Sequence, residues 1–347
     1  MSAPLVFAVP RAVDDPERVS GGNVYDRRVR DALRAAGREV RMLLVADEPG
    51  ALAVALRGLA DGALLLADGL LVSREPGAVV AEAHRLRIVI LAHMVEPDPD
   101  EPRLAAFRAA LLIVATSEWT RTELAAQGAA DAARVVVAHP GADPAPVTAA
   151  SEDGGRLLCV AVVAPHKGQD LLVRALAGFA DRPGWTCTVA GSLRADPGFA
   201  EALGSVVDAA GLADRIGFPG VLDGRALEDA YAHADLLVQP SRSESYGMAI
   251  AEALAHGVPV LATAVGGIGE AIPVRDAAML VPPDDPWALH VVLQQWWADP
   301  ARRAAAKAAA LAARSIGRSW AGTAAVIEAA LAEAERAPAP LRTGAAS

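Results

Sequence analysis

The sequence predicts an α/β protein made of two doubly wound parallel-sheet domains with a helical C-terminal tail. Three observations carry this. Short apolar runs alternate with helical patterns, the alternation pauses and restarts once around a Pro- and Gly-rich stretch, and no strand-like run follows residue 285. A chain of 347 residues is also long for one hydrophobic core and comfortable for two.

In the first half the apolar runs are LVFAV (5–9), VRMLLV (40–45), ALLLA (63–67), IVILA (88–92), LLIVA (111–115) and VVVA (135–138). Helical candidates at 23–36, 76–86 and 117–127 lie between them. Continuous apolar runs separated by helices mark parallel strands buried on both faces. Residues 139–155, HPGADPAPVTAASEDGG, read as a linker. The pattern then restarts with LLCVAVV (157–163), WTCTVA (185–190), RIGF (215–218), DLLVQ (235–239), VPVLA (258–262) and AMLVP (278–282). The domain expectation is a Rossmann-like unit over 1–143, a linker over 144–155 and a second Rossmann-like unit over 156–316. Residues 317–347 form a C-terminal helix and tail, a candidate for crossing back to the first domain. Such pairs place a site in the cleft between domains, at the C-terminal ends of the strands.

Composition narrows the function. The chain is 53% hydrophobic and 21% charged, a globular balance, and its net charge of −10 argues against a nucleic-acid partner. One stretch, DRRVRDALRAAGREVR (26–41), is locally basic and reads first as a solvated helix face, second as a patch for an anionic acceptor or lipid headgroups. Cys159 and Cys187 sit in strand-like runs without metal-ligand spacing and read as buried packing. The start, MSAPLVFAVP, has no charged n-region, and the apolar run 51–72 is broken by Arg57, Asp61 and Asp68. The expectation is a soluble, cytoplasmic protein for which peripheral membrane contact is not indicated.

The segment SRSESYGMAIAEALAHGVPVLATAVGGIGEAI (241–272) carries the chemistry. Glu244 follows the strand ending at Gln239, and Glu252 lies in the second turn of a helix starting near Gly247, with Gly257 placed to cap it. A carboxylate accepts two hydrogen bonds at once and suits the vicinal diol of a ribose or hexose. The amides of Gly247, Met248 and Ala249 add donors for sugar oxygens or phosphate. Together they read as a nucleotide-sugar site. A capping box from Ser241 to Glu244 is the plainer alternative, but Tyr246-Gly247 interrupts any helix begun at Ser241.

Residues 236–272 resemble the signature segment of retaining, nucleotide-sugar-dependent glycosyltransferases of family 4. There seven residues separate two glutamates, as they separate Glu244 from Glu252, inside a run like LVQPSRSESYGMAIAEALAHGVPVLATAVGGIGE. The resemblance extends over most of 111–285 and more weakly over the N-terminal part. It implies the GT-B fold, with an acceptor-side first domain and a donor-nucleotide second domain. It also implies transfer of a hexosyl group from a UDP- or GDP-sugar with retention, without a cofactor and without a metal.

Other residues fit the same picture. Lys167, in VVAPHKGQDLL, is one of two lysines in the chain and lies on a strand-to-helix loop suited to a diphosphate. This stretch resembles the family's Gly-Arg-x-x-x-x-Lys-Gly element, except that Ala161-Val162 replace Gly-Arg. The clamp then rests on Lys167 and backbone amides, or on an arginine from elsewhere. Gly21 and Gly22, before the first helix, would let amides approach the donor. The resemblance assigns His93 to contact the donor sugar and Gly220 and Val221 to main-chain contacts with the base. Tyr246 lies inside the donor motif. Ser117 caps a helix or lines the cleft; Gly266, Gly267 and Glu270 line the same cleft or start a helix. The catalytic set is therefore Glu244, His93 and Lys167.

No DxD pair accompanies the motif, and no carboxylate stands out as a nucleophile. The mechanism expected is same-face substitution, in which the departing diphosphate takes the acceptor's proton, with domain closure about 139–155 excluding water. Two alternatives stay open: a sugar phosphorylase on the same fold, and a non-catalytic nucleotide-sugar-binding subunit. A dinucleotide oxidoreductase is disfavoured because no Gly-x-Gly-x-x-Gly follows strand 5–9. The acceptor (sugar, lipid or other small molecule) should bind within 1–140. The acidic loop EPDPDE (96–101) disfavours an anionic acceptor there, and the Arg-rich stretch 26–41 points the other way.

Overall fold

The computed structural model describes residues 4–17 and 19–337. In chain order the regular elements begin with β1 (Leu5–Pro10), α1 (Gly21–Ala35), β2 (Val40–Val45), α2 (Ala51–Arg57), β3 (Leu64–Asp68), α3 (Gly69–Arg74) and α4 (Pro76–Glu82). They continue with β4 (Arg87–Ala92), α5 (Glu101–Ala109), β5 (Leu112–Ala115), α6 (Glu118–Ala126) and β6 (Val135–Val137). The second half contains β7 (Arg156–Val160), α7 (Gln169–Ala177), β8 (Thr186–Ala190), α8 (Pro197–Ala209), β9 (Ile216–Gly220) and α9 (Gly224–His233). It closes with β10 (Leu236–Gln239), α10 (Met248–Ala255), β11 (Val260–Thr263), β12 (Ala278–Val281), α11 (Pro286–Ala298), α12 (Pro300–Ala313) and α13 (Trp320–Arg336). Each apolar run read from the sequence becomes a strand. The helix expected at 23–36 starts earlier, so Gly21 and Gly22 form its first turn instead of a preceding loop.

Two compact units result. One takes residues up to 14, 22–140 and the chain from Ser319; the other takes 15–21 and 141–318. The tail beyond residue 337 lies outside the described residues.

Each unit holds a six-stranded parallel sheet. The orders are β2-β1-β3-β4-β5-β6 and β12-β11-β10-β7-β8-β9. The strand order reverses between β1 and β3 in the first sheet and between β7 and β10 in the second. At such a point successive connections leave toward opposite faces and open a crevice beyond the carboxyl ends of the strands. The central strands β1, β3, β10 and β11 are buried at every residue, whereas edge strands β2 and β12 are partly exposed. Unbroken apolar runs are what burial on both faces requires.

In the first unit Leu65, Ile88, Ile90, Leu71 and Val79 pack one face of the sheet. α13 belongs to this unit: Thr323 Oγ1 donates to His139 O at 2.7 Å, and Arg38 pairs with Glu328 at 2.9 Å and Glu335 at 2.5 Å. In the second unit Trp296 and Trp297 both donate indole N–H groups to Gly154 O, at 2.8 and 3.2 Å. Residues 144–155 have no regular structure but are held by Thr148 N to His256 O and by Ser151 Oγ to Asp235.

Candidate donor site and a buried histidine cluster

The second sheet's reversal point positions Lys167 and Glu244. β7 and β10 are neighbours, with Leu157 beside Leu236, so the loops that follow them meet. Gly168 has φ +67°, and a Cβ there would lie 2.1 Å from Pro240 O, so only glycine permits this approach. The amides of Arg242 and Ser243 both donate to His166 O, at 2.8 and 3.3 Å. Lys167 Nζ consequently stands 2.7 Å from Glu244 Oε2, with the side chains 17% and 15% exposed.

Several contacts fix the loop carrying Glu244. Its carbonyl accepts from Gly267 N at 3.0 Å, and Ser241 Oγ, itself held by Gln239 Nε2 at 3.1 Å, donates toward Glu244 Oε2 at 3.5 Å. Arg242 grips Asp170 with two bonds of 2.8 Å, reaches Asp284 at 2.6 Å and donates to Pro165 O. A bidentate guanidinium of this kind is a brace, so Arg242 is spent on loop geometry.

Glu252 lies on α10, which begins after Gly247 in the left-handed region at φ +98°. Tyr231, on α9, donates its hydroxyl to Glu252 Oε2 at 2.9 Å. Burial and the adjacent carboxylate push the Tyr231 phenol well up, so it remains a donor. The amides of Gly247, Met248 and Ala249 precede the first bonds of this helix, where Ile250 N reaches Gly247 O. Tyr246 is buried, and its hydroxyl accepts from Arg318 Nη1 at 3.3 Å. Gly220 closes β9 with φ +79°, its carbonyl accepting from Gly191 N, and Val221 follows it at the same edge of the sheet. Gly266, Gly267 and Glu270 follow β11, where Gly267 supports Glu244 as described.

His93 sits elsewhere, at the carboxyl end of β4 in the first unit. Its Nε2 lies 2.8 Å from Asp26 Oδ1 and 3.3 Å from Asp68 Oδ2. Asp68 ends β3 and caps α3 by accepting from Leu70 N and Leu71 N. Tyr25 meets the imidazole edge-on with centroids 5.3 Å apart, and a Cβ on Gly22 would touch His93 Cδ2 at 3.4 Å. Burial opposes charge on His93, but Asp26 and Asp68 outweigh it and push its pKa up to about 10. Burial pushes Asp26 up to about 7 against the pull of His93, with Asp68 adding to the rise. Asp68 is lowered despite its burial, by His93, Asp26 and the Leu71 amide. The three ligand atoms lie within 4.8 Å of one another, so they could also hold a cation, although shared protons already account for their contacts. Ser117 is a helix cap: its Oγ accepts from Thr120 N at 3.0 Å and is fully buried.

The cluster carries a pH prediction. His93 and Asp26 both have raised pKa values, so the folded chain holds more protons here than the unfolded chain across the neutral range. The cluster's contribution to stability therefore falls as pH rises from about 4 through 7 for Asp26 and from about 6.5 to 10 for His93. Asp26→Asn should flatten this slope and move the His93 titration down by about one to three units, followed by NMR of its ring protons. An unchanged titration would show that Asp26 does not hold the charge.

Asp26, Asp68 and Tyr231 were not among the residues expected from the sequence. In the sequence Asp26 falls in a stretch that reads as a solvated helix face and Asp68 interrupts an apolar run, yet both are buried. The Arg-rich stretch is also more paired than expected. Arg27 donates to Val13 O, Arg30 pairs with Asp14 and Asp31, and Arg34 donates to Val40 O.

Residues 145–312 match the family model Glycosyl transferases group 1. That match lies inside the second unit. Over 279 residues, 71% of this chain, the sequence is 33% identical to the D-inositol 3-phosphate glycosyltransferase of Kineococcus radiotolerans. The chain spans 64% of that relative's length, less than two thirds. Among solved structures, sucrose-phosphate synthase from Thermosynechococcus elongatus superposes with TM-score 0.77 at 21% identity, covering 96% of this chain and 99% of that one. HepE of Anabaena, solved in complex with UDP-glucose, superposes with TM-score 0.76 at 19% identity, covering 95% and 99%. At these identities the likeness establishes the fold, which is GT-B. The matched segment contains Lys167, Glu244 and Glu252, while His93 lies outside it.

Proposed function

We propose that the chain is a retaining glycosyltransferase that moves a hexosyl group from a nucleoside-diphosphate sugar, UDP- or GDP-linked, to an acceptor hydroxyl. The observation that carries this reading is the Lys167–Glu244 pair at the reversal point of the second sheet. A diphosphate arriving there takes Lys167 from Glu244, and the freed carboxylate accepts hydroxyl protons of the sugar. Glu252, oriented by Tyr231, accepts from the ribose diol. The amides of Gly247, Met248 and Ala249 and the positive end of α10 add to the binding of anionic oxygens. Gly220 and Val221 offer backbone to the base.

The C1–O bond to the diphosphate breaks as the acceptor oxygen bonds to C1 on the same face, and the departing phosphate oxygen takes the acceptor's proton. Lys167 stabilises the developing charge on the leaving group, so no metal or cofactor enters the scheme. We assign the first unit to the acceptor side; there His93 Nε2 is held by Asp26 at 2.8 Å and Asp68 at 3.3 Å, and these carboxylates offset its charge. The domain's group 1 match and the solved likeness to HepE with UDP-glucose support a nucleotide-sugar donor. No helix among the described residues is long and apolar enough to cross a membrane. Cys159 and Cys187 are buried free thiols, in keeping with a cytoplasmic setting.

The test is time-resolved proton NMR of UDP-glucose with the protein. The first sugar released or transferred should keep the donor's α configuration. A β product formed first would sink the retaining mechanism.

A further inference from the structure

We propose that Arg242 is a positioning residue: its link to Asp170 keeps the loops of Lys167 and Glu244 in register while the donor displaces the ion pair between them. This rests on the transferase reading above and adds a residue that acts without touching donor or acceptor.

Two side-chain links join the same two loops. One is the Lys167–Glu244 pair at 2.7 Å. The other comes from Arg242, two residues before Glu244, whose partners Pro165 and Asp170 stand on either side of Lys167 in the chain. The first link cannot survive donor binding, because Lys167 turns to the diphosphate and Glu244 to the sugar. The second has no such duty. With the first released, the amides of Arg242 and Ser243 still meet His166 O, at 2.8 and 3.3 Å. Two amides on one carbonyl make a pivot, about which the loops can turn. The planar, two-bonded guanidinium on Asp170 removes that freedom.

The donors of Arg242 are spent accordingly. Nη1 and Nη2 each reach Asp170 at 2.8 Å, Nη1 also donates to Pro165 O at 2.6 Å, and Nε reaches Asp284 at 2.6 Å. These bonds occupy four of the five N–H groups of a guanidinium, so Arg242 is not the arginine that completes the diphosphate clamp. Burial alone would raise Asp170, yet the hydrogen bonds from Arg242 hold it below the usual carboxylate range, and the link stays ionic at neutral pH. Asp284 has φ 55° and is the one non-glycine residue with positive φ among the described residues. Such backbone is costly and persists where the surroundings hold it; here it sets a carboxylate against Arg242 Nε.

The consequence falls on turnover more than on binding. Lys167 has a flexible four-carbon stem and can follow the diphosphate when the loops shift. Glu244 has to meet the sugar in the transition state, where a misplacement of about 1 Å can cost about a hundredfold.

The experiment uses the full chain with UDP-glucose and GDP-glucose, following release of UDP or GDP, with thermal melts of every variant. Arg242→Met should lower kcat at least about tenfold while the donor's KM moves less than about threefold. Asp170→Asn keeps the shape and one acceptor, and should give a smaller loss of the same kind. The double variant should be no slower than Arg242→Met alone, because both changes cut one link. Arg242→Lys should recover only part of kcat, since an ammonium cannot form the fork. A folded Arg242→Met protein with kcat within about twofold of the unaltered chain overturns the proposal. A raised KM with kcat unchanged overturns it too, for Arg242 would then bind the donor itself, and so do losses that add in full in the double variant. If Arg242→Met does not fold, Asp170→Asn and Arg242→Lys carry the same test. If the unaltered chain releases neither nucleotide, the transferase reading itself has failed.

Discussion

Lys167→Met should lower kcat/KM for the nucleotide-sugar donor by about 10²–10³-fold, the scale of removing one preorganised charge or donor from a transition state. Methionine keeps the length and most of the apolar stem while deleting the ammonium that stands 2.7 Å from Glu244. The diphosphate carries its largest charge as it departs, so the loss should fall on kcat as well as on KM. Val162 stands at the arginine position of the Gly-Arg-x-x-x-x-Lys-Gly element that this stretch resembles, so Lys167 is expected to take a larger share of that charge. The chain's other lysine provides the control. Lys307 sits on α12 with its Nζ 3.4 Å from Thr148 O, and Lys307→Met should leave the kinetics unchanged. Steady-state rates on the three proteins decide the matter, and a Lys167→Met effect within twofold would remove Lys167 from the mechanism.

Gly266→Ala should be strongly damaging to the loop that carries Glu244. Gly266 has φ +54°, and an added Cβ would sit 1.8 Å from the carbonyl oxygen of Glu244. That oxygen also receives the Gly267 amide at 3.0 Å, so the neighbouring backbone cannot retreat without losing a bond that holds the loop. Left-handed strain and displaced backbone together cost about 3 kcal/mol. In a unit of this size that lowers the melting temperature by roughly 6–12 °C. Donor turnover should fall as well, because Glu244 moves away from Lys167. Thermal melts and rates measured on the same preparation check both parts. Unaltered stability would mean that the loop after β10 can be repositioned at little cost.

The fold was legible because burial on both faces of a parallel sheet leaves an unbroken apolar run, and each such run became a strand. Lys167 and Glu244 were legible because each lies in the loop directly after a strand, where sequence neighbours determine position. The partners of the site residues were not. Asp26 and His93 are 67 positions apart, and their meeting depends on the first turns of α1 lying beside the end of β4. Tyr231 reaches Glu252 from a different helix, across 21 positions. Arg242 reads as one more loop arginine until Asp170 and Asp284 are seen on either side of it. Such contacts depend on sheet order, and local pattern does not encode which strand lies beside which.

On the reading proposed above, the edge of the second sheet binds a nucleoside diphosphate. Thermal melts of the unmodified chain with UDP, GDP, ADP and NADH, each at about 100 times a typical dissociation constant, test it most directly. A ligand at that excess stabilises the fold by about 2.7 kcal/mol. A rise of several degrees with UDP or GDP and none with NADH is the predicted result. A rise with NADH alone, or with none of the four, would mean that this edge does not bind a nucleoside diphosphate.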